Sequence, residues 1–274
     1  MTGLEPRGLA EALFQPVLAA GRVEMAYYGG ALDVDRKADS SPVTAADRES
    51  EAILIEALAK AAPGIPVVAE ESVASGSIPM VGDAFFLVDP LDGTREFINK
   101  CGEFTINVGL IEAGRPVFGL VYAPALGELF ATIGPGRAVM TEVAPDAPAR
   151  ALTDYTLRPL LARIPDAAAL VAVESRSHRN AKTEAYLARF AVQDSRRCGS
   201  SLKFCLIAKG EADFYPRLGE TSEWDTAAGQ AILEAAGGTV VMLDGAPLRY
   251  GKSGSGFLNP HFVAWGRSVI APRL

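Results

Sequence analysis

Between Pro66 and Gly134 five short segments follow one another: PVVAE, AFFLVD, FTINVGLI, PVFGLVYAP and ELFATIG. Each is rich in β-branched and aromatic residues and is fenced by Gly, Pro or Asn, the pattern of strands rather than helices. A chain with such a succession has to build a sheet in its first half. Two of the runs end in acid, Glu70 after PVVA and Asp89 after AFFLV. Farther on, ALVAVES, a helix near Thr183 to Phe190, a helix from Ser200 to Lys209, EADFY, a helix from Thr226 to Ala236 and GTVVML alternate strand with helix, which is α/β order.

From Ala144 to Pro159 the sequence is rich in Pro and Ala and lacks periodicity, so the seam between two lobes is expected there. The length of 274 residues still admits one two-lobed domain, with lobes at about 1–150 and 151–274. Ahead of the strands, Leu9, Leu13, Phe14, Val17 and Leu18 recur at helical spacing, and the pattern runs through Val23 to Tyr28 before Gly29-Gly30 ends it. Ser40-Ser41-Pro42 breaks the chain. Thr44 and Asp47 have capping-box spacing and open a second helix through Ile53, Leu54 and Leu58 that stops near Pro63-Gly64.

Charge and cysteine content narrow the partners. With 26 Lys and Arg against 33 Asp and Glu the formal charge is −7, which argues against a basic face for a nucleic acid polymer. Cys101, Cys198 and Cys205 are too few and scattered for a disulfide framework or a zinc site, and they fit reduced thiols in cytoplasm. Glu5 and Glu11 interrupt any apolar run at the N-terminus, unlike a secretory signal. No uncharged stretch approaches the ~18 apolar residues of a membrane span, so none is expected, while peripheral association with the inner membrane stays open.

The densest chemistry is Val88-Asp89-Pro90-Leu91-Asp92-Gly93-Thr94, directly after AFFL. Hard divalent cations such as Mg²⁺ take oxygen ligands, typically one or two carboxylates with water or substrate phosphate completing the shell. Asp89 and Asp92, with the Leu91 carbonyl between them, offer such a set, although Asp-Pro and Asp-Gly are also routine turn dipeptides. Glu70 ends a neighbouring strand and would meet Asp89 there, or it is simply a solvated acid. Asp225, in Glu223-Trp224-Asp225-Thr226, reads as an N-cap, a role compatible with metal ligation.

Taken together these segments resemble the inositol monophosphatase superfamily of Mg²⁺-dependent, lithium-sensitive phosphatases, on DPLDGTREFINKCGEFTINVGLI and EWDTAAGQAILEAAGG above all. Matching segments run from Pro42 to Asn259. The continuation Arg95-Glu96-Phe97-Ile98, SRSH at Ser175 to His178, GSSLKFCLIAKGEADFYPRL at Gly199 to Leu218 and FLNP at Phe257 to Pro260 resemble one branch, the bacterial 3′(2′),5′-bisphosphate nucleotidases. Arg95 stands where close relatives more often carry Lys, with the charge kept.

The resemblance implies an α+β sugar-phosphatase fold of alternating α-β-α-β-α layers. It implies that Glu70, Asp89 and the Leu91 carbonyl hold one Mg²⁺, that Asp89, Asp92 and Asp225 hold a second, and that a third, weaker ion binds near Glu70. Asp47 and Thr94 would be the base pair that positions and deprotonates the attacking water. The implied substrate is adenosine 3′,5′-bisphosphate, cleaved to AMP and phosphate in sulfate assimilation. Its contacts would come from Glu70, Leu91, Asp92, Gly93, Thr94 and Asp225 around the scissile phosphate, with Ser200 and His178 on the nucleotide. Lys203 and Arg217 are candidates for the second phosphate, Arg as a bidentate fork and Lys as a point charge. An inositol or other sugar monophosphatase with the same metals is the rival enzyme, and a non-catalytic nucleotide sensor is the rival outside enzymes. A monomer and a homodimer fit equally.

Overall fold

Helix α1 (Pro6–Tyr28) begins with Pro in its first turn, where a missing N–H costs nothing, and ends where Gly29 N–H reaches back to Met25 O at 3.1 Å. Its buried stripe of Leu9, Leu13, Phe14, Val17 and Leu18 is the one the periodicity predicts. The computed structural model of the chain describes residues 2–30, 34–36, 42–178 and 180–271; Ser40 and Ser41 of the predicted chain break lie outside them. A short antiparallel pair, β1 (Val34–Arg36) and β2 (Pro42–Thr44), leads into α2 (Ala45–Ala61), where Asp47 Oδ2 accepts from the Thr44 N–H at 2.8 Å and the Thr44 hydroxyl at 2.6 Å.

The first-half runs then become β3 (Val67–Ala69), β4 (Ala84–Asp92), β5 (Thr105–Glu112), β6 (Arg115–Ala123) and β7 (Glu128–Gly134), extended by β8 (Arg137–Glu142) and β9 (Arg158–Pro159). They form a seven-stranded sheet in chain order, with β3 parallel to β4 and every later pair antiparallel. Single-turn helices α3 (Glu70–Ala74) and α4 (Thr94–Ile98) follow β3 and β4. The remainder supplies β10 (Leu170–Ser175), α5 (Ala181–Leu187), β11 (Val192–Cys198), α6 (Leu202–Ala208), β12 (Phe214–Arg217), α7 (Ala227–Ala235), β13 (Thr239–Met242) and β14 (Phe262–Trp265). Its sheet has the order β11-β10-β12-β14-β13.

Alternation along β4 explains the layering. Phe86 and Val88 point to a core shared with Leu13 and Phe14 of α1 and Leu54 and Leu58 of α2, whereas Phe85 and Leu87 point to the opposite core with Phe204 of α6 and Ile232 and Leu233 of α7. Phe204 in turn packs on Tyr215 and Phe262 of the second sheet. On that sheet's far face Tyr186 and Leu187 of α5 meet Phe190, Phe214 and Trp265. The order α1/α2, sheet, α6/α7, sheet, α5 is the expected α-β-α-β-α stack. Close approach of α7 depends on Gly119 in β6, where a Cβ would sit 2.2 Å from Ala228 O. Among the described residues no helix is long and apolar enough to cross a membrane.

Candidate active site

The parallel register of β3 on β4 pairs Ala69 with Val88, so Glu70 and Asp89, the next residues of each, leave adjacent strands side by side. Ligand oxygens of Glu70, Asp89 and Asp225 lie within 4.8 Å of one another. The pairing of β4 with β5 is irregular between Asp89 and Asp92, where Pro90 has no N–H to offer the ladder. Leu91 N–H donates to Asp89 Oδ1 at 3.1 Å, and Gly93, at φ 92°, makes the left-handed turn into α4.

Asp92 and Asp225 are each held from outside their own turn. Asp92 Oδ2 accepts the Ser200 hydroxyl at 2.9 Å and the Asn107 amide at 3.2 Å, and Ser200 also shares a short hydrogen bond with Thr105. Ser200 is itself in the left-handed region at φ 56°. Asp225 is not the N-cap that its spacing suggests; Thr226 takes that position, and Asp225 Oδ2 turns back to accept the Ser222 N–H at 2.9 Å. The reason is a tight turn over Ser222–Thr226. Asn259 Nδ2, in FLNP, pins it through Ser222 O at 2.7 Å and Thr226 Oγ1 at 3.0 Å, and the buried Glu223 carboxylate accepts the N–H groups of Gly251 and Lys252.

These groups open on a cavity of about 480 Å³. Of the residues expected in a site, Glu70, Asp89, Leu91, Asp92, Gly93, Thr94, His178, Ser200, Lys203, Arg217 and Asp225 line it. Asp47 is buried outside that lining, while its neighbour Ala46 packs with Leu91 and Phe97, which flank Thr94. Thr94 Oγ1 donates to Leu91 O at 3.3 Å. Arg95 and Glu96, part of the branch signature in the sequence, line the cavity too. Asn107 and Asn259 were missed as site residues; the FLNP motif was the available signal for the second, and nothing local marks the first.

A cationic group faces the acids. Lys203 and Arg217 are buried, the first donating to Ser200 O beneath the Tyr215 ring and the second donating from Nη2 to Glu220 O at 2.7 Å while its Nε has no hydrogen-bond partner among the described residues. His178 keeps part of its surface in solvent, yet partial burial, followed by the positive charges of Arg217, Arg95 and Lys203, pushes its pKa down to about 4. It is therefore neutral at neutral pH, fit for stacking or hydrogen bonding rather than for pairing with phosphate. Adding adenosine 3′,5′-bisphosphate, whose phosphates would offset those cations, is expected to raise the His178 pKa toward its ordinary value. With two histidines in the chain, imidazole NMR titration reads this directly, and an unchanged value would separate His178 from the ligand.

The acidic set has the chemistry a hard divalent cation needs. Asp225 is pushed up to about 8, first by burial and then by the charges of Asp92 and Glu70, so the carboxylates oppose one another's ionisation. An all-oxygen donor set under that strain fits Mg²⁺.

Comparison with known proteins agrees with the geometry. The chain is 42% identical over 245 residues to the 3′(2′),5′-bisphosphate nucleotidase CysQ of Shigella flexneri, covering 89% of this chain and 94% of that protein. It is 41% identical over 256 residues to the protein of that name from Salmonella typhimurium, covering 93% and 98%. The crystal structure of CysQ from Bacteroides thetaiotaomicron, a bacterial member of the inositol monophosphatase family, superposes with a TM-score of 0.78 at 34% identity over 96% of this chain and 98% of the other. Since residues 5–269 also match the model of that family, the chain belongs to the inositol monophosphatase family.

Proposed function

We propose that the protein is a Mg²⁺-dependent 3′(2′),5′-bisphosphate nucleotidase that hydrolyses adenosine 3′,5′-bisphosphate to AMP and phosphate in the cytoplasm, as a monomer or homodimer. The observation that carries this reading is one cavity lined both by a crowded carboxylate set and by buried Lys203 and Arg217. A monophosphate needs only the first group; a substrate with a second phosphate uses both. The names of the CysQ relatives support the same substrate.

In this account one domain does the work. Residues 1–150 supply the metal core, and residues 151–274 supply specificity and Asp225. Glu70, Asp89 and the Leu91 carbonyl would hold one Mg²⁺ and Asp89, Asp92 and Asp225 a second, with Glu70 also available to a weaker third. When bound, such ions neutralise phosphoryl oxygens, acidify the attacking water and stabilise the leaving oxygen. The chain's own part is positioning. Asp47 would orient the Thr94 hydroxyl once that hydroxyl leaves the Leu91 carbonyl it now donates to, and the pair would align the water and take its proton. Ser200 and Asn107 hold Asp92. Lys203 and Arg217 anchor the distal phosphate so that the 3′-phosphate lies over the carboxylates, and neutral His178 packs against the nucleoside.

Product analysis tests this. With Mg²⁺ the expected products are AMP and inorganic phosphate, and with EDTA none. Release of adenosine 3′-phosphate instead would invert the proposed placement of the two phosphates.

A further inference from the structure

Helix α2 carries two buried carboxylates one turn apart, Asp47 and Glu51. The proposed chemistry uses the first and leaves the second without a task. Glu51 is 5% exposed, and both of its oxygens are spent on one short segment. Oε2 accepts the Glu71 N–H at 2.7 Å, and Oε1 accepts the Ser72 hydroxyl at 2.6 Å. That segment is the first turn of α3, and its first residue is Glu70.

The arrangement answers a local deficiency. The first N–H groups of a helix have no partner inside it and are normally met by a side chain at the N-cap. Here the N-cap is Ala69, which has nothing to offer. Glu51 supplies the acceptors from another helix, and α2 is itself anchored by Leu54 and Leu58 in the core. The Glu70 backbone is thus fixed on one side by β3 pairing with β4 and on the other by Glu51.

We infer that Glu51 is a positioning residue of the metal site, fixing through Glu71 N–H and Ser72 Oγ the turn that aims the Glu70 carboxylate toward Asp89 and Asp225. One helix then delivers both Asp47, for the attacking water, and the group that sets the Glu70 ligand. The inference rests on the proposed role of Glu70 as a Mg²⁺ ligand, and Glu70→Ala is therefore measured beside it.

The test is the apparent Mg²⁺ Kd of metal-free protein, read without substrate from the Mg²⁺-induced rise in Tm. Partners that orient metal ligands typically govern affinity by 10–100-fold, so Glu51→Ala should raise Kd by about 10-fold or more. At saturating Mg²⁺ its KM for adenosine 3′,5′-bisphosphate should stay within about twofold of the parent, because Glu51 does not line the cavity. Glu51→Gln keeps an acceptor oxygen, and the Ser72 hydroxyl can rotate to suit the amide, so its Kd should stay within about threefold. A role in stability alone would lower Tm in EDTA and leave Kd at the parent value, which would overturn the inference. A Gln variant as weak as Ala would also overturn it, since charge rather than the two hydrogen bonds would then be responsible. If Glu51→Ala does not fold, Ser72→Ala decides: a Kd raised about threefold or more supports the inference, and the parent value overturns it. If Glu70→Ala leaves Mg²⁺ binding intact, the metal reading itself fails; if it abolishes binding while Glu51→Ala does not weaken it, only the positioning role fails.

Discussion

Asp89→Asn is expected to fold normally and to release phosphate from adenosine 3′,5′-bisphosphate with kcat lowered at least about 10³-fold. The side chain is 2% exposed, and its Oδ1 accepts the Leu91 N–H at 3.1 Å, a bond that an Asn oxygen preserves. The turn from Asp89 to Asp92 therefore keeps its shape. What disappears is a negative charge among Glu70, Asp89 and Asp225, and with it the proposed bridge between two cations. Relief of that repulsion should leave Tm in EDTA at or above the parent's, while the Tm gain from Mg²⁺ shrinks. Phosphate release and thermal unfolding, each with and without Mg²⁺, check both halves. A variant that keeps full turnover would remove Asp89 from the metal site.

Arg217→Ala should act on the other group of charges. A hydrogen bond to an ionised partner is worth about 1.5–3 kcal/mol, so loss of the fork should raise KM for the bisphosphate by roughly 10–100-fold. KM for adenosine 3′-phosphate, which lacks the distal phosphate, should move by less than about threefold. Arg217 is buried, with its Nη2 on Glu220 O, so truncation also disturbs local packing. Arg217→Lys, which restores the charge but not the fork, should recover part of the loss. Steady-state kinetics on the two substrates separate the outcomes: equal changes would mean that Arg217 shapes the cavity without reading the second phosphate.

Much of this was legible in the sequence because its causes are local. Strand runs of β-branched residues, the α1 stripe and the Asp89–Thr94 turn are decided by residues near each other in the chain. What was not legible depends on contacts made across it. VQDSRRC became β11 although it is polar and largely exposed, because an edge strand needs only the backbone of β10 as its partner. Asp225 had cap spacing, yet Asn259 and Glu223 hold its turn in another form. Ser200, expected on the nucleotide, does line the cavity, but its hydrogen bonds to Asp92 and Thr105 join segments about a hundred residues apart and left no local sign. Glu51 gave no signal at all, since its partners lie about twenty residues away on a separate helix.

The central claim is that the cavity reads two phosphates, one over the carboxylates and one on Lys203 and Arg217. It is tested most directly by kcat/KM for adenosine 3′,5′-bisphosphate against inositol 1-phosphate, both with saturating Mg²⁺. The account predicts a preference for the bisphosphate of about 10² or more, the scale of one charged contact realised in the transition state. Equal values, or a preference for inositol 1-phosphate, would contradict it.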